Sequence, residues 1–197
     1  MTSSDLTVLP DGAKDRAAAR VGTSVDGAAD LSAGRGVPAG VRVGLACAEF
    51  NGGITDRLLS AALDALEEAG CELSRAIVVW APGAFELPVV AQKLAVSEAV
   101  DAVICLGAVI RGDTGHYDFV AGECASGLLR VQLDTGIPVV FGVLTTDTVD
   151  QALVRSADDG SNKGREAAET ALKTVAALAG VSAASSGSRV GFTVGGR

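Results

Sequence analysis

The chain has no apolar run long enough to cross a membrane; its longest, such as 102–108, stop after a few residues. No basic patch followed by an apolar stretch opens it, so a secretory leader is not expected and the reading is a cytoplasmic protein. Paired cysteines are missing too. Cys47, Cys71, Cys105 and Cys124 lie scattered among apolar residues without CxxC spacing, which points to buried free thiols rather than to a disulfide or a zinc site. Positive charge is short: 16 Lys and Arg against 24 Asp and Glu leave a formal net charge of −8. A nucleic-acid backbone would be repelled by the protein as a whole. A small anion is not excluded, because a few backbone N–H groups and one arginine outweigh the mean field over a few ångströms. Aromatic residues make up only 4% of the chain and there is one histidine, so where these residues fall carries weight.

What is present is apolar and ordered in its pattern. With 197 residues, 48% of them hydrophobic, the chain is long enough for one well-buried core and short for two. Residues 1–40 are rich in Ala, Gly, Asp and Ser and residues 181–197 in Ser and Gly, so an N-terminal extension and a C-terminal tail without fixed structure are expected around a single domain over 41–180. Within it apolar runs at 41–47, 76–80, 102–108 and 139–144 alternate with helical spacing over 54–69, 86–96 and 117–133. A short helix over 149–154 and a longer one over 162–179 close the domain. Four strands separated by helices predict an α/β fold with a parallel sheet. The Val- and Ile-rich strands lack polar alternation, which predicts burial on both faces. Thr148 with Gln151 reads as a capping box, and Gly70 as a helix stop.

Ligands of open α/β sheets bind beyond the carboxyl ends of the strands. After the first strand, Phe50 stands in a loop with Gly52 and Gly53, where a flat ligand can stack on it or the ring can simply fold over the sheet edge. After the second, Pro82-Gly83-Ala84-Phe85-Glu86-Leu87-Pro88 sets a tight turn with Glu86 at a helix start. A carboxylate there is favoured by the helix dipole, and either accepts from ligand hydroxyls or only caps. After the third, Arg111-Gly112-Asp113-Thr114-Gly115-His116 combines glycines and a hydroxyl able to cradle phosphate with the one histidine, the residue type best suited to carry protons near neutrality. A structural histidine is the alternative. Arg155 offers an anion clamp, and Lys163 at a helix start wants a negative neighbour; solvated surface charge is the bland reading of both.

Together, Phe50-Asn51 with Ile54-Thr55, the 82–88 turn, Gly107-Ala108-Val109-Ile110-Arg111-Gly112-Asp113-Thr114-Gly115-His116, Phe141-Gly142-Val143-Leu144-Thr145 and Asn162-Lys163-Gly164 strongly resemble lumazine synthase, in family order from about 41 to 179. The resemblance implies a flavodoxin-like three-layer sandwich with strand order 2-1-3-4. It implies condensation of 5-amino-6-(D-ribitylamino)uracil with 3,4-dihydroxy-2-butanone 4-phosphate to 6,7-dimethyl-8-ribityllumazine, phosphate and water, with no cofactor and no metal. Carried over residue by residue, Phe50 resembles the residue that stacks on the pyrimidine, Ala84, Phe85 and Glu86 the ribityl turn, and Ala108, Val109 and Ile110 the backbone that reads the pyrimidine edge. Asp113 and Thr114 correspond to the phosphate cradle and His116 to the proton donor. Phe141, Arg155 and Lys163 correspond to contributions from an adjacent subunit, with Arg155 on the phosphate. The implied partners are the two substrates and copies of the chain in a pentamer; a sixty-subunit shell and riboflavin synthase as a partner are left open.

The chain departs from the family pattern in its two end segments and in the acidic connection from Arg155 to Ser161, which puts loop conformation and assembly size in doubt. Two other readings share the fold. A flavodoxin-type electron carrier would need several hydroxyls in the first post-strand loop, where only Thr55 is available. A shell protein that binds flavin or lumazine without turnover would not need the set Phe50, Glu86, His116, Arg155 and Lys163.

Overall fold

Residues Val43–Ala48 form β1, every one of them buried, as an interior parallel strand requires. The computed structural model describes residues 38–187. After β1 come α1 (Gly52–Glu68), a single 3-10 turn at Leu73–Arg75 and β2 (Ile77–Ala81). A second 3-10 turn at Ala84–Glu86 leads into α2 (Leu87–Ala95), then β3 (Ala102–Ile110) and α3 (His116–Thr135). The last elements are β4 (Val139–Thr146), α4 (Val149–Arg155) and α5 (Lys163–Gly187). All strand pairs are parallel and the sheet order is β2-β1-β3-β4, the flavodoxin-like order the resemblance implied.

Period-two alternation splits each interior strand between two cores. Val43, Leu45 and Cys47 of β1 with Ile104 and Leu106 of β3 pack under α1 and α5, against Leu58, Ala62, Ala168 and Leu172. Ala46, Val103, Cys105 and Val143 point the other way, under α2 and α3, against Leu87, Ala91, Cys124 and Leu128. The sandwich therefore has helices on both faces. Cys47, Cys105 and Cys124 are buried free thiols, whereas Cys71 is only half-buried. Burial pushes the Cys47 and Cys124 thiols up to about 12 and raises Cys105, buried beside both, well above its ordinary value.

Three expectations need correction. β2 lacks polar alternation yet lies at a sheet edge, with Val78 and Trp80 each 39% exposed, because the helices spread over β1 and β3 and leave its outer side bare. β3 runs two residues past 108, so Val109 and Ile110 belong to the strand and pair with Thr145 and Thr146. The last helix continues to Gly187, so 181–187 of the expected tail are helical. Residues 1–37 and 188–197 of the expected end segments lie outside the described residues. The Thr148 cap forms: its Oγ1 accepts from Gln151 N, but Gln151 Oε1 accepts from Asp147 N, one residue earlier than a capping box requires.

Candidate active site

The carboxyl ends of β1, β2 and β3 enclose a cleft of about 650 Å³. Three short connections build its wall. Phe50, 72% exposed, stands at its lip, where its backbone N–H donates to Pro82 O at 3.1 Å and ties the first post-strand loop to the second. Asn51 takes a left-handed conformation (φ 60°), which asparagine tolerates better than most residues, and so turns the chain into α1. Its side chain does not cap that helix. It crosses to β3 instead, Nδ2 donating to Ala108 O at 2.9 Å, which holds the amide plane at the cleft wall with Oδ1 left to accept.

In the second connection Ala84 is buried while Phe85 and Glu86 stay exposed along the cleft. Glu86 occupies the position before α2 without capping it through its side chain. Its carboxylate folds back over Gly83, where an added β-carbon would stand 3.2 Å from Glu86 Oε2, so the glycine makes room for it. The third connection supplies Gly112, Thr114 and His116, after the Ala108–Ile110 end of β3. His116 is the first residue of α3, exposed, with its backbone N–H 3.4 Å from Thr114 Oγ1. The free N–H groups of a 20-residue helix point toward this loop, a favourable place for an anion.

Of the residues singled out from sequence, Phe50, Ala84, Phe85, Glu86, Ala108, Val109, Ile110, Thr114 and His116 all line this cleft. Asp113 is exposed in the same loop and does not. Phe141, Arg155 and Lys163 meet elsewhere, in a groove of about 480 Å³ along the unpaired edge of β4 that shares no lining residue with the first. There Lys163 finds the negative neighbour its helix-start position calls for, pairing with Glu166, and Arg155 Nη1 donates to Gln151 O at 3.0 Å. Asn51, Tyr117 and Phe119 also line the cleft and were not singled out. Asn51 was visible in the motif, but its bond to a carbonyl 57 positions away was not. Thr55, the one hydroxyl that a flavin-carrier reading could use, is fully buried with no hydrogen-bond partner for Oγ1 and does not face the cleft. Among the described residues no group of three or more His, Cys, Asp or Glu side chains is arranged to hold a metal ion, and no helix is long and apolar enough to cross a membrane.

Fold and cleft together define an α/β protein that takes small molecules at the carboxyl edge of a parallel sheet, with an imidazole at the rim. The family profile of 6,7-dimethyl-8-ribityllumazine synthase matches residues 40–179. A 6,7-dimethyl-8-ribityllumazine synthase of Syntrophus aciditrophicus (strain SB) is 50% identical over 145 residues, covering 74% of this chain and 94% of the relative. One of Protochlamydia amoebophila (strain UWE25) is 50% identical over 134 residues, covering 68% and 78%. The chain belongs to the 6,7-dimethyl-8-ribityllumazine synthase family.

Proposed function

We propose that this chain condenses 5-amino-6-(D-ribitylamino)uracil with 3,4-dihydroxy-2-butanone 4-phosphate, giving 6,7-dimethyl-8-ribityllumazine, phosphate and water, the penultimate step of riboflavin biosynthesis. The observation that carries the reading is that an exposed aromatic, a free carboxylate, a helix-start loop and an imidazole, from Phe50, Glu86, Thr114 and His116, line one cleft of a size fit for two small reactants. Phe50 stacks on the pyrimidine, the Ala108–Ile110 backbone and Asn51 read its edge, and Glu86 with the Ala84–Phe85 turn takes the ribityl hydroxyls. The loop around Thr114 and the start of α3 take the phosphate through backbone N–H groups, Asp113 contributing only its main chain because its carboxylate would repel the ligand.

Schiff-base formation, phosphate elimination and ring closure each move protons among nitrogen, carbon and oxygen. His116 serves them as donor and acceptor in turn. Much of the remaining acceleration is positioning, since holding two reactants in contact removes several kcal/mol from a barrier. Arg155 of a neighbouring copy clamps the phosphate, and that copy's Phe141 and Lys163 close the cleft. Support for a shared site comes from the groove on the β4 edge, where these three gather away from His116, and from the exposed apolar side chains Phe119, Leu129, Leu133 and Val154, which a lone chain would leave in water. These features support a homo-oligomer, and the family resemblance implies that it is built on pentamers. Four free thiols fit a reducing, cytoplasmic setting.

Mixing the purified protein with both substrates tests the reading. Lumazine absorbance and free phosphate should rise together in equal amounts. A folded, assembled protein that yields neither would overturn it.

A further inference from the structure

The loop that brings His116 to the cleft is held weakly by its own residues. Residues 111–116 are all exposed, Gly115 precedes α3 without any side-chain cap, and a β-carbon at Gly112 or Gly115 would touch nothing within 4 Å. The Thr114 Oγ1 contact to His116 N is long, at 3.4 Å. Arg111 supplies what the loop lacks. Its backbone N–H donates to Thr146 O at 2.8 Å, continuing the ladder between β3 and β4. Its guanidinium gives Nε to Asp147 Oδ1 at 2.9 Å, just past β4, and Nη1 to Asp118 Oδ1 at 3.3 Å, in the first turn of α3. The same group lies over the Tyr117 ring, 3.9 Å from guanidinium carbon to ring centroid. Tyr117 and Asp118 directly follow His116, and Arg111 itself does not line the cleft.

We propose that Arg111 is a positioning residue: it clamps the first turn of α3 to the end of β4 and thereby holds the His116 imidazole and Thr114 in working geometry without touching either substrate. The proposal rests on the function proposed above. A planar fork is needed because one side chain must meet two carboxylates on its edge and an aromatic ring on its face, which a lysine ammonium cannot do. Exposed ion pairs contribute little to global stability, so the clamp is expected to matter for geometry more than for folding.

The test compares the parent full-length chain with Arg111→Met, Arg111→Lys and Asp118→Asn, each checked for assembly and melting temperature, with kinetics against both substrates. In Arg111→Met kcat is expected to fall about 10- to 100-fold, the loss typical of a reacting group displaced by about 1 Å. The KM for the phosphate substrate should rise, and that for the pyrimidine should stay near the parent's, because the pyrimidine is held by the strand ends. Arg111→Lys should fall with it, since charge alone does not rebuild the fork. Asp118→Asn should show the same split at smaller size and decides the matter if the Arg111 variants do not fold. Unchanged kcat in a folded Arg111→Met, full recovery in Arg111→Lys, or a uniform loss that follows the melting temperature in every variant overturns the proposal. A parent that makes no lumazine overturns the functional reading and this one with it, whereas an active parent with indifferent variants overturns this one alone.

Discussion

Gly164 lies against Leu58 so closely that a β-carbon on the glycine would stand 1.9 Å from the Leu58 carbonyl oxygen. The start of α5 is seated on the backbone of α1, and Asn162 locks the seat. It is 2% exposed, its Oδ1 accepts from Gly164 N at 2.8 Å and its Nδ2 donates to Ala157 O at 2.8 Å. Gly164→Ala must therefore move a helix rather than a side chain. A loss of about 1–3 kcal/mol or more is expected from such overpacking, read as a lower denaturation midpoint. Gly53→Ala, in the first turn of α1 where a β-carbon meets nothing, should leave the midpoint unchanged or raise it.

Acid should weaken the protein through two ion pairs. Arg42 donates from Nε and Nη2 to the two carboxylate oxygens of Asp101, and Arg165 from Nη1 and Nη2 to those of Glu68, which lowers both acids below their ordinary values of 3.8 and 4.5. The hydrogen bond to the arginine is the largest cause in each case. A carboxylate with a lowered folded pKa contributes stability that is present above its unfolded value and lost as pH falls through the folded one. Stability of the parent should thus decline as pH drops below about 4, the range in which these carboxylates protonate. Asp101→Asn should start less stable at pH 7 and lose less on acidification. Parallel pH curves for parent and variant would remove this pair from the acid response.

Within the cleft the two substrates should part by charge. Arg155→Ala removes a charge-assisted contact of roughly 1.5–3 kcal/mol, so affinity for the butanone phosphate should drop on the order of ten- to a hundredfold with the pyrimidine little affected. Phe50→Ala should weaken pyrimidine binding by about 1 kcal/mol through lost stacking. His116→Ala should lower turnover about a hundredfold while both binding steps persist, because proton transfer acts on the transition state. Separate titrations of each substrate against each variant check the division, and an equal loss of both substrates in Arg155→Ala would refute it.

A shared site makes a stronger demand. His116→Ala and Arg155→Ala proteins, each strongly impaired alone, should show more activity than either when dissociated and reassembled together, since some mixed interfaces then hold an intact His116 opposite an intact Arg155. No recovery in oligomers demonstrated to be mixed would mean that both residues serve the same copy.

The order of elements was legible because hydrophobic period is a local property: 3.6 for Leu58, Ala62, Ala65 and Leu66, and unbroken apolar runs for β1 and β3. The strand order came from motif resemblance and not from periodicity. Most cleft residues were legible for a related reason, since they follow strands directly and the carboxyl edge of a parallel sheet is where such segments converge. β2 shows the limit. Its composition reads as an interior strand, but whether helices cover a strand is decided by the arrangement of the whole sheet.

The sequence by itself determined which segments are strands and helices, the turn chemistry of Thr148 and Gly83, and the set of chemical groups available to the cleft, because each depends on residues within a few positions of one another. Only the tertiary structure decided that Asn51 is held by Ala108, that Arg111 reaches Asp147, that Gly164 must have no side chain, and that Phe141, Arg155 and Lys163 gather on the β4 edge apart from His116. These relationships join residues distant in sequence. Their geometry is fixed by how the helices pack on the sheet, and no local pattern of residues carries that information.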